Sequence, residues 1–299
     1  MIGNLVLLRT ILLSAMLVLV GCVNGGQGTE VRSTYEPSLT QPSRIINEDE
    51  YLDVGVVILD PGISTLNDNE LVFPEIRRAE ATFISSHLAE TLSQVGAWGA
   101  VRVVPDQFQF TDLIVTGEIL RSDGLWLRLA IDVKDTMGRQ WLRKEYEQKV
   151  PPDSYDPMML RLGDPFQEVY DSIANDMLSY FESLQRDDLL TIRKISELRF
   201  ASSFSQEAFS AYLTASEDGI YRLQRLPAAN DPMLERVRNL RSRNYVFIDT
   251  LQGYYTDFSE EMSSPYLEWR KQNRKDVEAE EQLQLQAKQQ MWAGAAAIV

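Results

Sequence analysis

The spacing of apolar positions changes twice along this chain, and each change marks a different kind of element. Tyr51 to Leu59 (YLDVGVVIL) is rich in β-branched side chains and runs into Asp60-Pro61-Gly62, which predicts a strand buried on both faces. Pro74 then opens a stretch in which Ile76, Ala79, Phe83, Leu88, Leu92 and Val95 recur at helical intervals. Gly96 supplies a stop, so a helix is predicted over 74–95. Strand patterns return at Ala100 to Val104, at Leu113 to Leu120 and at Leu125 to Val133, the last two joined through Ser122-Asp123-Gly124. A turn at Thr136-Met137-Gly138 leads into Gln140 to Val150, polar enough to be an edge strand. Leu125, Leu127, Leu129 and Ile131 alternate with Trp126, Arg128, Ala130 and Asp132, so one face of the sheet meets water and the helix covers the other. The predicted fold class is α+β: a small mixed sheet with one packed helix, β-α-β-β-β-β, over 51–150, followed by an all-helical second half.

That second half starts after Pro157. Phe166, Val169, Tyr170, Ile173, Met177, Leu178 and Phe181 form one helical stripe, with Asp164 as N-cap and Pro165 in the first turn. Further helices are predicted over 187–200, 206–218 and 232–260, completing a helical domain over 157–262. The 232–260 helix carries Val237, Leu240, Tyr245, Ile248, Leu251, Tyr255, Phe258 and Met262, a stripe that suits either the inside of a bundle or a partner-facing surface. Tyr254 and Tyr255 are the candidates for partner contact, because aromatic residues are enriched at interfaces. Residues 263–299 are predicted to form an extended polar helix from Pro265 and an apolar tail. Val277, Leu283, Leu285 and Met291 do not sustain a heptad, so this helix either projects into solvent or lies along another subunit. The tail, Ala293 to Val299, is too short to cross a membrane and either docks on a partner or frays.

At the other end, Arg9 precedes an uncharged apolar run that closes at Cys22, the single cysteine. The run falls short of the roughly 20 residues a membrane-spanning helix needs, so 1–21 reads as a secretory signal. Leu19-Val20-Gly21-Cys22 resembles the lipobox of bacterial lipoproteins. That resemblance implies cleavage before Cys22, acylation of its thiol and, with Val23 next, an outer-membrane anchor facing the periplasm. Residues 22–50, with Gly25, Gly26, Gly28, Pro37 and Pro42 among Ser and Thr, are predicted to be a flexible tether.

Charge and composition narrow the function. Lys+Arg 29 against Asp+Glu 44 gives a net charge of −15, which repels phosphate backbones and excludes a nucleic-acid partner. One His and one Cys leave no disulfide and no thiolate zinc site. His87, beside Ser85 and Ser86 with Glu80 and Glu90 near its face, reads as a partly buried structural imidazole. Neither G-x-S-x-G, a phosphate-binding glycine loop nor an EF-hand loop occurs, so no cofactor or metal is expected. Paired carboxylates are the remaining catalytic option, but Asp187-Asp188, Glu260-Glu261 and Glu280-Glu281 are adjacent in sequence and read as solvated helix surface.

Val54 to Ile58, the helix end Leu92-Ser93-Gln94-Val95-Gly96, Val101 to Val104, Asp112 to Gly117 and Val133 to Gly138 together resemble a periplasmic α/β domain. It is the domain shared by the curli-secretion lipoproteins, the N-terminal part of the TolB family and the auxiliary lipoproteins of ABC-type lipid transporters. The resemblance covers about a third of the chain and implies non-enzymatic work in envelope assemblies, with other envelope proteins as partners in a multi-subunit complex. Segments like the membrane-inserting hairpins of the curli pore family are missing, so pore formation is not implied. Two alternatives stay open: a periplasmic hydrolase of peptidoglycan or glycans using two carboxylates, and a lipid or small-molecule carrier with an apolar groove.

Overall fold

The computed structural model describes residues 39–65, 73–105, 111–228 and 230–296. The expected signal segment, Cys22, the tether as far as residue 38 and the end of the apolar tail lie outside them. The element order of the first half is the predicted one: β1 (Val54–Val57), α1 (Pro74–Val95), β2 (Val101–Val104), β3 (Leu113–Ser122), β4 (Trp126–Asp135) and β5 (Gln140–Lys149). They form a five-stranded mixed sheet in the order β2-β1-β3-β4-β5. β1 is parallel to both neighbours, and β3, β4 and β5 run as an antiparallel meander. Gly96 takes the left-handed conformation that ends α1, with φ 73°.

The alternation in β4 sets the layering. Leu127, Leu129, Ile131 and Val133 are buried while Arg128 and Lys134 on the opposite face are exposed. The buried face carries α1 together with α2 (Gln167–Ser183), whose stripe from Val169 to Phe181 joins the same core. Trp98 meets Phe181 edge-on at 5.3 Å, and Trp141 stacks on Tyr180 at 4.8 Å. Each such large apolar side chain contributes roughly 1.5–3 kcal/mol through burial. α3 (Arg186–Phe204) follows α2 and extends this core through Leu189 and Ile192.

Several details depart from the sequence pattern. The tether ends earlier than expected: within 39–50, Ile46 is buried, and Glu50 accepts hydrogen bonds from the Asn47 backbone, the Asn47 side chain and Arg44. On α1, the buried stripe begins with Arg77 and Glu80, while Ile76 and Ala79 are half-exposed. α2 starts at Gln167, two residues after Pro165. Asp164 instead holds the preceding turn, its carboxylate accepting the Phe166 N–H.

The predicted helix over 206–218 is replaced by the short α4 (Gln206–Phe209), a 3-10 turn and a hairpin of β6 (Leu213–Ala215) with β7 (Tyr221–Leu223). Phe209 is buried with Phe200, Leu234 and Val237 and anchors the chain there, and Asp218-Gly219 makes the hairpin turn, Gly219 at φ 76°.

The two helices expected on either side of Pro265 are one helix, α5 (Pro232–Ala296), 65 residues long. Pro265 removes one backbone donor, but it and Glu261 face solvent, so the freed carbonyl is not buried unpaired in a core, and buried Tyr266 fixes the next turn on the body.

α5 also protects an open edge of the sheet. On edge strand β2, the Val103 N–H donates to Gln252 Oε1 and the Val103 carbonyl accepts from Gln252 Nε2, both at 2.8 Å. Gln252→Leu removes both bonds and is expected to cost about 1–2 kcal/mol. The Val103 amide should also exchange faster with deuterated water; unchanged exchange there would show that the edge is protected by something other than this amide.

Candidate functional site

Two concavities flank α5. The larger, about 720 Å³, is a groove between α1 and α5, floored by β2 and closed at one end by residues 160–165. Its walls match: Ser86, Ala89, Glu90 and Ser93 on α1 oppose Thr256, Ser259, Glu260 and Ser263 on α5, each set at the same helical spacing.

His87 lies on this wall. Its Nε2 donates to Gln167 Oε1 at 2.8 Å, and Gln167 Nε2 in turn donates to Asp171 Oδ1 at 2.8 Å and Thr91 Oγ1 at 3.2 Å. The imidazole stacks on Phe83 and meets Tyr170 edge-on at 4.7 Å. The neighbouring hydroxyls are engaged with backbone: Ser86 Oγ donates to Thr82 O, and Ser85 Oγ donates to Ala81 O while accepting the Leu59 N–H. Ser85 thereby ties the end of β1 to α1.

At the closed end, Arg270 grips Asp164 with two hydrogen bonds, 3.1 and 2.6 Å, and its guanidinium lies 4.5 Å over the Tyr266 ring. Burial pushes the Asp164 carboxyl up, but the Arg270 charge and hydrogen bonds outweigh it and hold the group below its ordinary value. Beneath them lies a second buried network. Glu80 Oε1 accepts from Tyr266 Oη at 2.7 Å and Ser122 Oγ at 2.8 Å, and Arg77 Nε stands 3.1 Å from Glu80 Oε2. Burial pushes the Tyr266 phenol well up, so it remains a donor. α5 continues along the β3–β4 turn, where Asn273 Nδ2 donates to Asp123 O and Arg274 Nη1 to Pro152 O. It makes its last anchoring contacts at Glu281, which accepts from Trp126 Nε1 at 2.9 Å and Lys149 Nζ at 2.8 Å.

The smaller concavity, about 360 Å³, lies between α3, α5 and the starts of β1 and β3. Asp112 Oδ2 accepts the Asp53 N–H, Asp53 Oδ1 accepts the Ala100 N–H, and Arg241 stands 3.7 Å from Asp112 while donating to Ser196 Oγ. Burial pushes the Asp112 carboxyl up against the pull of Arg241.

Of the residues singled out in the sequence, Tyr254 is exposed, whereas Tyr255 is half-buried and lines the groove. Cys22 lies outside the described residues. Glu260, Glu261, Asp187 and Glu280 are on the surface as read; Asp188 pairs with Arg139, and Glu281 is a docking residue, not a solvated one. The 265–292 helix lies on its own body as far as Glu281 and is exposed beyond it over 282–291. The buried charges Arg77, Glu80, Asp164 and Arg270 were missed. The one signal for them was the Arg77/Glu80 pair three residues apart on an otherwise apolar helix face.

Among the described residues, no group of three or more His, Cys, Asp or Glu is placed to hold a metal ion, and no helix is long and apolar enough to cross a membrane. No family model, curated protein or solved structure matches this chain.

Proposed function

We propose that this chain is an outer-membrane lipoprotein, acylated at Cys22 and facing the periplasm, that serves as a non-enzymatic accessory or structural subunit of an envelope assembly. The resemblance of its α/β half to the periplasmic lipoprotein domains supports that class. The observation that carries the reading is α5. At 65 residues it is about 98 Å long at 1.5 Å per residue, and over 282–291 it offers its whole circumference to solvent. A helix docked on its body as far as Glu281 and bare beyond it is built for contact with something else.

Two of the ionisable groups around the groove are engaged internally, His87 with Gln167 and Asp164 with Arg270, which supports a non-catalytic role for that pair, while Glu90 and Glu260 stand exposed on its walls. The groove's volume falls in the range of ligand pockets and favours, as a second reading, a small-molecule carrier. Its lining mixes the hydroxyls and carboxylates of the two helix walls with apolar Phe83, Val101, Val103 and Leu267, which suits an amphipathic cargo.

Cys22→Ser is expected to abolish the acyl adduct seen by mass spectrometry, release the chain from membranes and lower its co-purification with envelope proteins after mild detergent extraction. An unmodified wild-type chain beginning elsewhere, or a wild-type monomer extracted with no partner at native abundance, overturns the proposal.

A further inference from the structure

α5 carries two tracks along its middle, and the body covers only one of them. Arg241, Tyr245, Ile248, Gln252 and Tyr255 face β2, α3 and the groove. About a quarter-turn round the helix, Leu240, Asn244, Phe247, Leu251, Tyr254 and Phe258 follow one another at alternating steps of four and three residues. That is the 3.5-residue repeat of a coiled-coil seam, with Asn244 as its single polar core position, the device that fixes register. The seam is open: Phe247 is 62% and Tyr254 68% exposed, and Asn244 and Leu251 are only half-buried. Two such aromatic side chains in line on a helix already held by a folded body make a preformed binding edge, so little ordering is needed to use it.

We propose that this seam pairs with the same seam of a second copy of the chain, antiparallel, about a two-fold axis level with Asp249. The charges beside the seam select that occupant. In this register Arg243 of each copy comes beside Asp257 of the other, and both residues are exposed and available. The core pairs are equally self-complementary: Asn244 meets Tyr254 of the second copy and can hydrogen-bond to it, Phe247 meets Leu251, and Leu240 meets Phe258. A parallel pairing sets Arg243 against Ile248 and Asp257 against Met262, so neither charge finds a partner. The surface ion pairs set the register, and the aromatic and aliphatic core supplies the attraction. The inference concerns a surface away from the groove and does not depend on the lipid anchor.

The test uses the full chain carrying Cys22→Ser, which removes the only thiol, in mild detergent. Sedimentation equilibrium should show a monomer–dimer system. Phe247→Asp, at an exposed position, should weaken dimerisation about tenfold or more while leaving the far-UV circular dichroism spectrum of the folded chain unchanged. Arg243→Asp should weaken it as well, and Arg243→Asp combined with Asp257→Arg should restore it. Leu240→Cys with Phe258→Cys should give a disulfide-linked dimer under mild oxidation, and Leu240→Cys alone should not. A wild-type monomer at every concentration, as expected if the seam serves a different protein, overturns the proposal. So does a dimer indifferent to Phe247→Asp. Cross-linking through Leu240→Cys alone overturns the antiparallel register.

Discussion

With Arg270 replaced by methionine, the fold is expected to lose about 3–5 kcal/mol, the range for breaking a buried ion pair by removing one partner. Arg270 and Asp164 are 3% and 8% exposed, so neither charge has water to fall back on. The methionine fills much of the space and keeps contact with Tyr266 and Phe166, which the guanidinium covers in the native protein. What the substitution leaves behind is a buried carboxylate with the Phe166 N–H as its remaining donor. Urea unfolding followed by tryptophan fluorescence measures the loss. The pH dependence gives a second reading. Because the folded Asp164 carboxyl is held below its ordinary value, the stability it contributes is present above the unfolded carboxylate pKa, about 3.9, and is lost as pH falls through the folded value. In the variant the orphaned carboxyl is pushed up instead and is relieved by protonation, so the gap between wild type and variant should narrow as the pH falls from 7 toward 4. Pairing Arg270→Met with Asp164→Leu should recover most of the loss, since an apolar pair of similar volume replaces a buried ion pair at little cost. A single variant within about 1 kcal/mol of wild type would mean that the carboxylate is better solvated than its burial implies.

The first half of the fold was legible because period and punctuation agree there. Pro74 and Gly96 bracket α1, Gly124 and Gly138 sit at the two hairpin turns with positive φ, and the alternation in β4 identifies the buried face. The second half was legible as helical but not in its joints. Pro265 carries a strong local signal to stop a helix, and tertiary contacts on either side of it, Ile248 before and Tyr266 after, overrode that signal. Asp218-Gly219 carried the hairpin signal that a helical reading of 206–218 passed over. Least legible were the buried charges. Arg77, Glu80, Asp164 and Arg270 look like surface residues in a pattern of apolar spacing, and their burial depends on partners up to 186 residues apart, as with Tyr266 and Glu80. Asp164 even offered a sound local reading, as a helix cap; its Oδ1 does accept the nearby Phe166 N–H, but the helix starts later, at Gln167, and the same carboxylate is gripped by distant Arg270. The alternation that reveals a sheet face has no counterpart for a polar seam, because such a seam is specified by pairs and not by period.

Gly124 tests how closely that seam is drawn, and Gly124→Ala is expected to destabilise the protein by about 3 kcal/mol or more. Two effects combine. At φ 78° any residue with a Cβ is strained by about 1–2 kcal/mol. A Cβ built there would also overlap the backbone carbonyl oxygen of Arg270 and lie 2.8 Å from its carbon, so α5 would have to move off the β3–β4 turn. That movement would loosen the Asn273 hydrogen bond to Asp123 O, made at the same place. Gly219 provides the control within the same molecule. Its φ is 76°, but a Cβ there meets nothing within 4 Å, so Gly219→Ala should show the backbone strain alone. The difference between the two variants in urea unfolding therefore isolates the docking of α5 against the hairpin. Limited proteolysis should agree, with cleavage within 232–296 accelerating in Gly124→Ala and not in Gly219→Ala. If the two alanines cost the same, the helix gives way at Arg270 without penalty, and its close approach to the β3–β4 turn contributes little to stability.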